Sequence, residues 1–291
     1  MTSNTEQATT INTQLDDLTL DLARLIQLDA AVFAVEELGI KPDEWQERAL
    51  TSKRTHQIYN CSRQSGKTET AAIRALHTAC AIPESLTLLL SPSLRQSGEL
   101  FRRVKLMHGN MRHPPVLEES SKLALTTETQ SRILSLPGSE GTVRGFAAPD
   151  LIIIDEDAQV TKELFDSVNP MQATNPDGVM ILMSTPYGRR GHFFEIWDKG
   201  REELWEKFQI DADECPRIGQ AFLEQQQDIL TPDWFRQEYY CEFLDLQGSL
   251  FSAEDILAAF SDTDVEDWDN PYAPAPEDEV ENWEDVFDAE D

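Results

Sequence analysis

One octapeptide restricts the fold of this chain more than any other feature. Cys61-Ser62-Arg63-Gln64-Ser65-Gly66-Lys67-Thr68 follows an apolar run and opens an amphipathic one. A strand, a tight loop and a helix in that order predict a phosphate-binding loop. Gly66 lets the backbone come close to an anion, and a helix N-terminus favours the anion's charge. Lys67 is placed to reach the β- and γ-phosphates, and the Thr68 hydroxyl to ligate Mg²⁺. Ser62, Arg63, Gln64 and Ser65 complete the predicted cradle. The first position of such a loop is usually glycine, and this chain carries Cys61 there.

Leu151-Ile152-Ile153-Ile154-Asp155-Glu156, about 90 residues later, supplies the second half of a nucleotide site. It reads as a buried strand ending in two carboxylates. Asp155 is assigned to the Mg²⁺ through water, and Glu156 to the attacking water as general base. Alone, such a strand would more simply end in a solvated acidic turn. Three further pieces join the assignment. Gln46, in Glu44-Trp45-Gln46, is a candidate for reading the adenine edge. Ser184 and Thr185, at the end of a later strand, are candidates for sensing the γ-phosphate. Arg63 is a candidate for stabilising charge on the transferred phosphoryl group, with a surface ion pair as the plain alternative.

Around these motifs, short apolar runs predict strands at 56–61, 86–90, 132–136, 151–154, 179–183 and 206–210. Helical spacing is found over 68–80 and 94–107, and over 18–38 with Gly39 as the stop. Strands alternating with helices predict an α/β fold, a three-layer P-loop NTPase with a mainly parallel central sheet. Residues 1–16 are expected to be a flexible lead-in, 17–260 the ATPase domain with its N-terminal helices, and 261–291 an acidic tail without a folding pattern.

The 291 residues contain 24 Lys and Arg against 54 Asp and Glu, a net charge of −30. That excludes holding nucleic acid by overall charge. Glu254 to Asp291 contributes 16 acids and no base, so the balance before it is milder. A basic cluster of Arg95, Arg102, Arg103, Lys105 and Arg112 is the candidate DNA-backbone surface. Ordinary surface ion pairing is its alternative. Trp268, Trp283 and Phe287 in the acidic tail suit either docking into a basic groove or simple solubility. No run approaches the ~18 apolar residues of a membrane span. The N-terminus lacks the pattern of a signal peptide. The four dispersed cysteines suggest neither a zinc site nor a disulfide framework. The expectation is a soluble protein of a reducing compartment, with no membrane partner.

SRQSGKT at 62–68, the Arg144–Phe146 segment leading into LIIIDED at 151–157, and STPYG at 184–188 together resemble the large terminase subunits of tailed double-stranded DNA phages. The resemblance runs from about Trp45 to Phe260, and in that family Arg-Gln often stands before Gly-Lys-Ser/Thr. It implies an ATP- and Mg²⁺-dependent motor that drives double-stranded DNA through a portal protein into a procapsid. It also implies a small terminase subunit, assembly into a ring on the portal, and location in the host cytoplasm. By position it makes Lys67 and Thr68 the phosphate and metal groups, Asp155 the metal carboxylate, Glu156 the catalytic carboxylate, and Ser184 and Thr185 the coupling motif. Arg63 matches a loop arginine of catalysis, a role that some members give to a neighbouring subunit.

Large terminases continue into an RNase H-like nuclease domain, whereas 31 residues follow Phe260. No nuclease activity is therefore expected from this chain alone. A separate nuclease polypeptide, a relative that is ATPase only, and truncation are the three explanations. Two other functions fit parts of the pattern. A helicase-like ATPase shares the motif order but needs a second motor domain. An adaptor that binds partners through its acidic tail would not need Lys67, Asp155 and Glu156.

Overall fold

The computed structural model describes residues 24–136 and 145–245, together with Leu20, Leu22 and Val143. The lead-in at 1–16, Arg144 and the tail at 261–291 lie outside the described residues. Among the described residues, eight strands form one sheet: β1 (His56–Cys61), β2 (Leu86–Leu90), β3 (Leu117–Ser120), β4 (Ala124–Thr127), β5 (Arg132–Ser135), β6 (Leu151–Asp155), β7 (Val179–Ser184) and β8 (Trp205–Ile210). Their order is β3-β4-β5-β2-β6-β7-β1-β8. The pairings from β5 across to β8 are parallel. Only β3-β4 and β4-β5 are antiparallel.

The runs LTLLL of β2 and LIIID of β6 are buried at every residue. Parallel sheets covered on both faces require such continuous apolar strands. Alternation then sorts their side chains into two cores. Leu151 and Ile153 join Tyr59, Cys61, Leu89 and Met183 on one face. Ile152 and Ile154 join Ile58, Leu88, Leu90 and Leu182 on the other.

Helices α1 (Ala30–Glu36), α2 (Glu44–Thr51), α3 (Lys67–Ala81) and α4 (Leu94–Gly109) cover the first face. The alanines at 71, 72, 75 and 79 give α3 a small-residue face, which lets it pack closely against the sheet and α4. Helices α5 (Lys162–Val168) and α6 (Gly191–Lys199) cover the second face through Leu164, Phe165, Val168 and Phe193. Helices α7 (Gln220–Ile229) and α8 (Pro232–Tyr240) close a satellite core of Ala212, Leu223, Phe235 and Tyr239.

The six strands expected from the sequence are all present. The structure adds the β3–β4 hairpin at the sheet edge. The helix expected over 18–38 is interrupted at Asp29. Its side chain accepts hydrogen bonds from the Ala31 and Val32 backbone N–H groups at 2.8 and 3.2 Å, so it caps a new helix. Gly39 ends that region with φ +65°, as its stop role requires. Among the described residues, no helix is long and apolar enough to cross a membrane.

Candidate active site

The site forms where β1, β7 and β6 end side by side. The octapeptide leaves β1, and Asp155 and Glu156 leave β6. β7 runs between those two strands, and its Ser184 pairs in register with Asn60. Met183 pairs with Asp155. The Ser184-Thr185 segment therefore stands between the loop and the paired carboxylates. Both residues are buried, and the hydroxyl oxygen of Ser184 has no hydrogen-bond partner.

Gly66 caps α3 with φ +94°, a left-handed backbone that glycine adopts without steric cost. A Cβ at Gly66 would lie 2.5 Å from Arg217 Nη2 and 2.8 Å from Gln46 Nε2. The loop is braced from behind. Ser62 N–H donates to the Ile210 carbonyl at 2.8 Å, joining the loop to the end of β8. Cys61, in place of the usual first glycine, is fully buried, and burial pushes its thiol up to about 12. It acts as core.

Lys67, Thr68, Gln64, Gly66, Asp155 and Glu156 line one cleft of about 980 Å³. Lys67 Nζ lies 3.1 Å from Glu156 Oε1. Burial alone would lower the ammonium's pKa, but Glu156 and Asp155 beside it carry the net effect upward. Burial raises the Asp155 carboxyl to about 6, opposed by Lys67 and reinforced by Glu156. Glu156 itself has φ +53°. A non-glycine residue in this region costs about 1–2 kcal/mol, and such strain is often stored at functional sites. It turns the Glu156 side chain out of the strand's alternation and toward Lys67. Asp155 Oδ1 accepts from the Glu156 N–H at 3.0 Å, and Gln159 N–H donates to the Glu156 carbonyl at 2.9 Å. Both bonds hold the turn.

Two residues expected to contact the nucleotide have protein partners. Gln46 is buried, its Oε1 accepts from Asp43 N–H at 2.9 Å, and its Nε2 donates to Thr70 Oγ1 at 3.0 Å. It braces the loop from the start of α2. Arg63 is bound to the buried Glu238 of α8, and Arg63 N–H also donates to the Glu238 carbonyl at 3.0 Å. The Arg63 side chain is 62% exposed.

Arg217 has no signal in the sequence. It follows β8, pairs with Asp43 at 2.6 Å, donates to the Ser65 carbonyl, and lines the cleft beside Gly66.

The family model described as "Terminase large subunit, T4likevirus-type, N-terminal" matches residues 58–258. The chain belongs to this terminase family. Large terminase subunits of Thermus phage G20c and Thermus virus P23-45 are each 26% identical to it over 262 residues. Those alignments span 76% of this chain and 53% of each relative, so the terminase chain covers about half their length. The large terminase ATPase domain of Thermus phage P74-26 superposes with a TM-score of 0.60 at 22% identity. It covers 71% of this chain and 96% of that one. The large terminase of thermophilic bacteriophage D6E, in complex with ADP, gives 0.58 at 12% identity, over 70% and 54% of the two chains. At these identities the superpositions establish the shared fold.

The basic cluster of this terminase divides in two. Arg95, Arg102 and Arg103 line the rim of the same cleft from α4. Arg102 pairs with Glu99 at 2.9 Å, and Arg103 with Glu69 at 2.8 Å. Lys105 instead donates to the Ser121 carbonyl at 3.0 Å, and Arg112 pairs with Glu36 at 3.3 Å. Three of the five cations thus line the cleft, and two are engaged by protein groups that do not line it.

Proposed function

We propose that this chain is the ATP-hydrolysing motor part of a DNA-packaging terminase. The convergence of Lys67, Thr68, Asp155 and Glu156 in one cleft, in a chain of this family, carries the reading. Asp155 and Thr68 offer the hard oxygen donors that Mg²⁺ prefers, on the two sides of the same cleft. When bound there, Mg²⁺ would neutralise phosphate charge. Lys67 holds the β- and γ-phosphates. Glu156 takes the proton of the attacking water as its oxygen bonds to the γ-phosphorus and the bond to the bridging oxygen breaks. Ser184 and Thr185, between the two halves of the site, are suited to sense the γ-phosphate. Arg63, which holds Glu238 here, is the candidate for stabilising charge on the transferred phosphoryl group. Otherwise an arginine from a neighbouring subunit serves.

The wider assignment follows from the family. Double-stranded DNA is the translocated substrate, with Arg95, Arg102 and Arg103 as its candidate contacts on this chain. The portal protein and the small terminase subunit are the partners, and the chains form a ring at the procapsid portal in the host cytoplasm. Nuclease activity is assigned elsewhere than to the ATPase fold. The test is phosphate release with Mg²⁺, measured across protein concentration and with DNA. Release that rises with concentration or DNA supports the motor. No release under any of these conditions contradicts it.

A further inference from the structure

Asp157 and His192 form a buried pair beside the catalytic turn that the hydrolysis reading does not use. His192 Nε2 lies 2.9 Å from Asp157 Oδ1, with the two side chains 4% and 0% exposed. Asp157 directly follows Glu156 and begins the 3₁₀ turn Asp157–Gln159. His192 lies in the first turn of α6, just after the Ser184–Gly188 segment. Its ring stacks on Phe165 of α5, with centroids 4.3 Å apart and planes 16° apart.

We propose that His192 is a positioning residue for Glu156, acting through Asp157. The proposal rests on the hydrolysis reading of this site. Glu156 holds an unfavourable left-handed backbone, and such a conformation persists only when its surroundings fix it. The residue on its C-terminal side is fixed by a side chain with little freedom. The Asp157 carboxylate is fully buried, and its Oδ2 has no hydrogen-bond partner, so the imidazole is its principal stabilising contact. Burial raises the Asp157 carboxyl and His192 opposes the rise. Phe165 stacks against the face of the buried imidazole and restricts its movement. The 3₁₀ turn is thereby tied to α6 and α5. Loss of the tie would let Glu156 relax toward an ordinary backbone and withdraw its carboxylate from the water position. Small misplacements of this kind cost as much as about 100-fold in rate.

The experiment compares His192→Phe, which fills the space but cannot donate a hydrogen bond, with His192→Gln, which keeps a donor. His192→Phe is expected to lower kcat about 10- to 100-fold with KM for ATP nearly unchanged, and His192→Gln to recover most of the loss. Hydrogen exchange at the Gln159 and Val160 amides, which close the turn on Glu156 and Asp157, is expected to speed up in His192→Phe by more than the accompanying fall in global stability accounts for. If His192→Phe does not fold, Asp157→Leu/His192→Phe removes both polar partners and carries the same two readouts. Unchanged kcat and unchanged exchange in the folded variant overturn the proposal. Equal impairment of the Phe and Gln variants overturns it as well. A wild-type chain that releases no phosphate would contradict the hydrolysis reading alone, because the exchange measurement still decides the positioning role.

Discussion

Lys67 Nζ and Glu156 Oε1 are 3.1 Å apart, so the loop ammonium and the strand-end carboxylate form an ion pair across the cleft. A γ-phosphate entering the cleft competes with Glu156 for that ammonium. On the proposed reading, binding couples to release of Glu156 for its role as general base. Lys67→Ala is expected to weaken nucleotide binding and remove most turnover. Titration with a fluorescent ATP analogue alongside phosphate release checks both effects.

Gly66→Ala is expected to damage the loop in two ways. Its φ of +94° is costly for any L side chain, by about 1–2 kcal/mol. The new methyl would also displace the side-chain ends of Arg217 and Gln46, which brace the loop. A lower Tm together with weaker nucleotide binding is the predicted result, measured by thermal melting with and without ATP.

The Arg63–Glu238 contact separates a structural from a catalytic role. Arg63→Ala leaves the buried Glu238 carboxylate without its partner, at a cost of about 1 kcal/mol given the exposed Arg63 side chain. Adding Glu238→Gln is expected to restore the Tm. If Arg63 acts in catalysis, the double variant stays slow at saturating ATP. If turnover recovers with stability, the finger is another arginine.

The two halves of the basic cluster should behave differently. Arg102→Glu, at the cleft rim, is expected to weaken DNA binding several-fold at low salt and to flatten its salt dependence. Lys105→Ala, which removes only a contact to Ser121, should change affinity less than about twofold. Filter binding across a salt series distinguishes them.

The central strands were legible because parallel strands buried on both faces are continuous apolar runs, and the loop and carboxylate motifs sit at their ends. The β3–β4 hairpin was not. Leu117–Ser120 is LEES at an exposed edge and carries no buried alternation. The helical break at Asp29 was hidden because apolar spacing continues through it, while the break depends on one side-chain cap. Gln46 was read as a base-reading group from its position, but both ends of its amide are bonded within the protein. Arg217 lies far along the chain from Ser65 and Asp43, so only the folded sheet brings it to the loop. His192 had no ligand spacing in the sequence, and its partner Asp157 becomes visible only once α6 packs against the 3₁₀ turn that follows β6.

The most direct test of the account is Glu156→Gln, compared with wild type in both nucleotide affinity and steady-state phosphate release. Gln keeps the size of Glu156 but cannot take a proton from water, and it frees Lys67 from its ion pair. The account predicts that ATP binds at least as tightly as in the wild type while phosphate release falls by about 100-fold or more. Release at the wild-type rate would contradict Glu156 as the base and, with it, the assignment of this cleft as the site of hydrolysis.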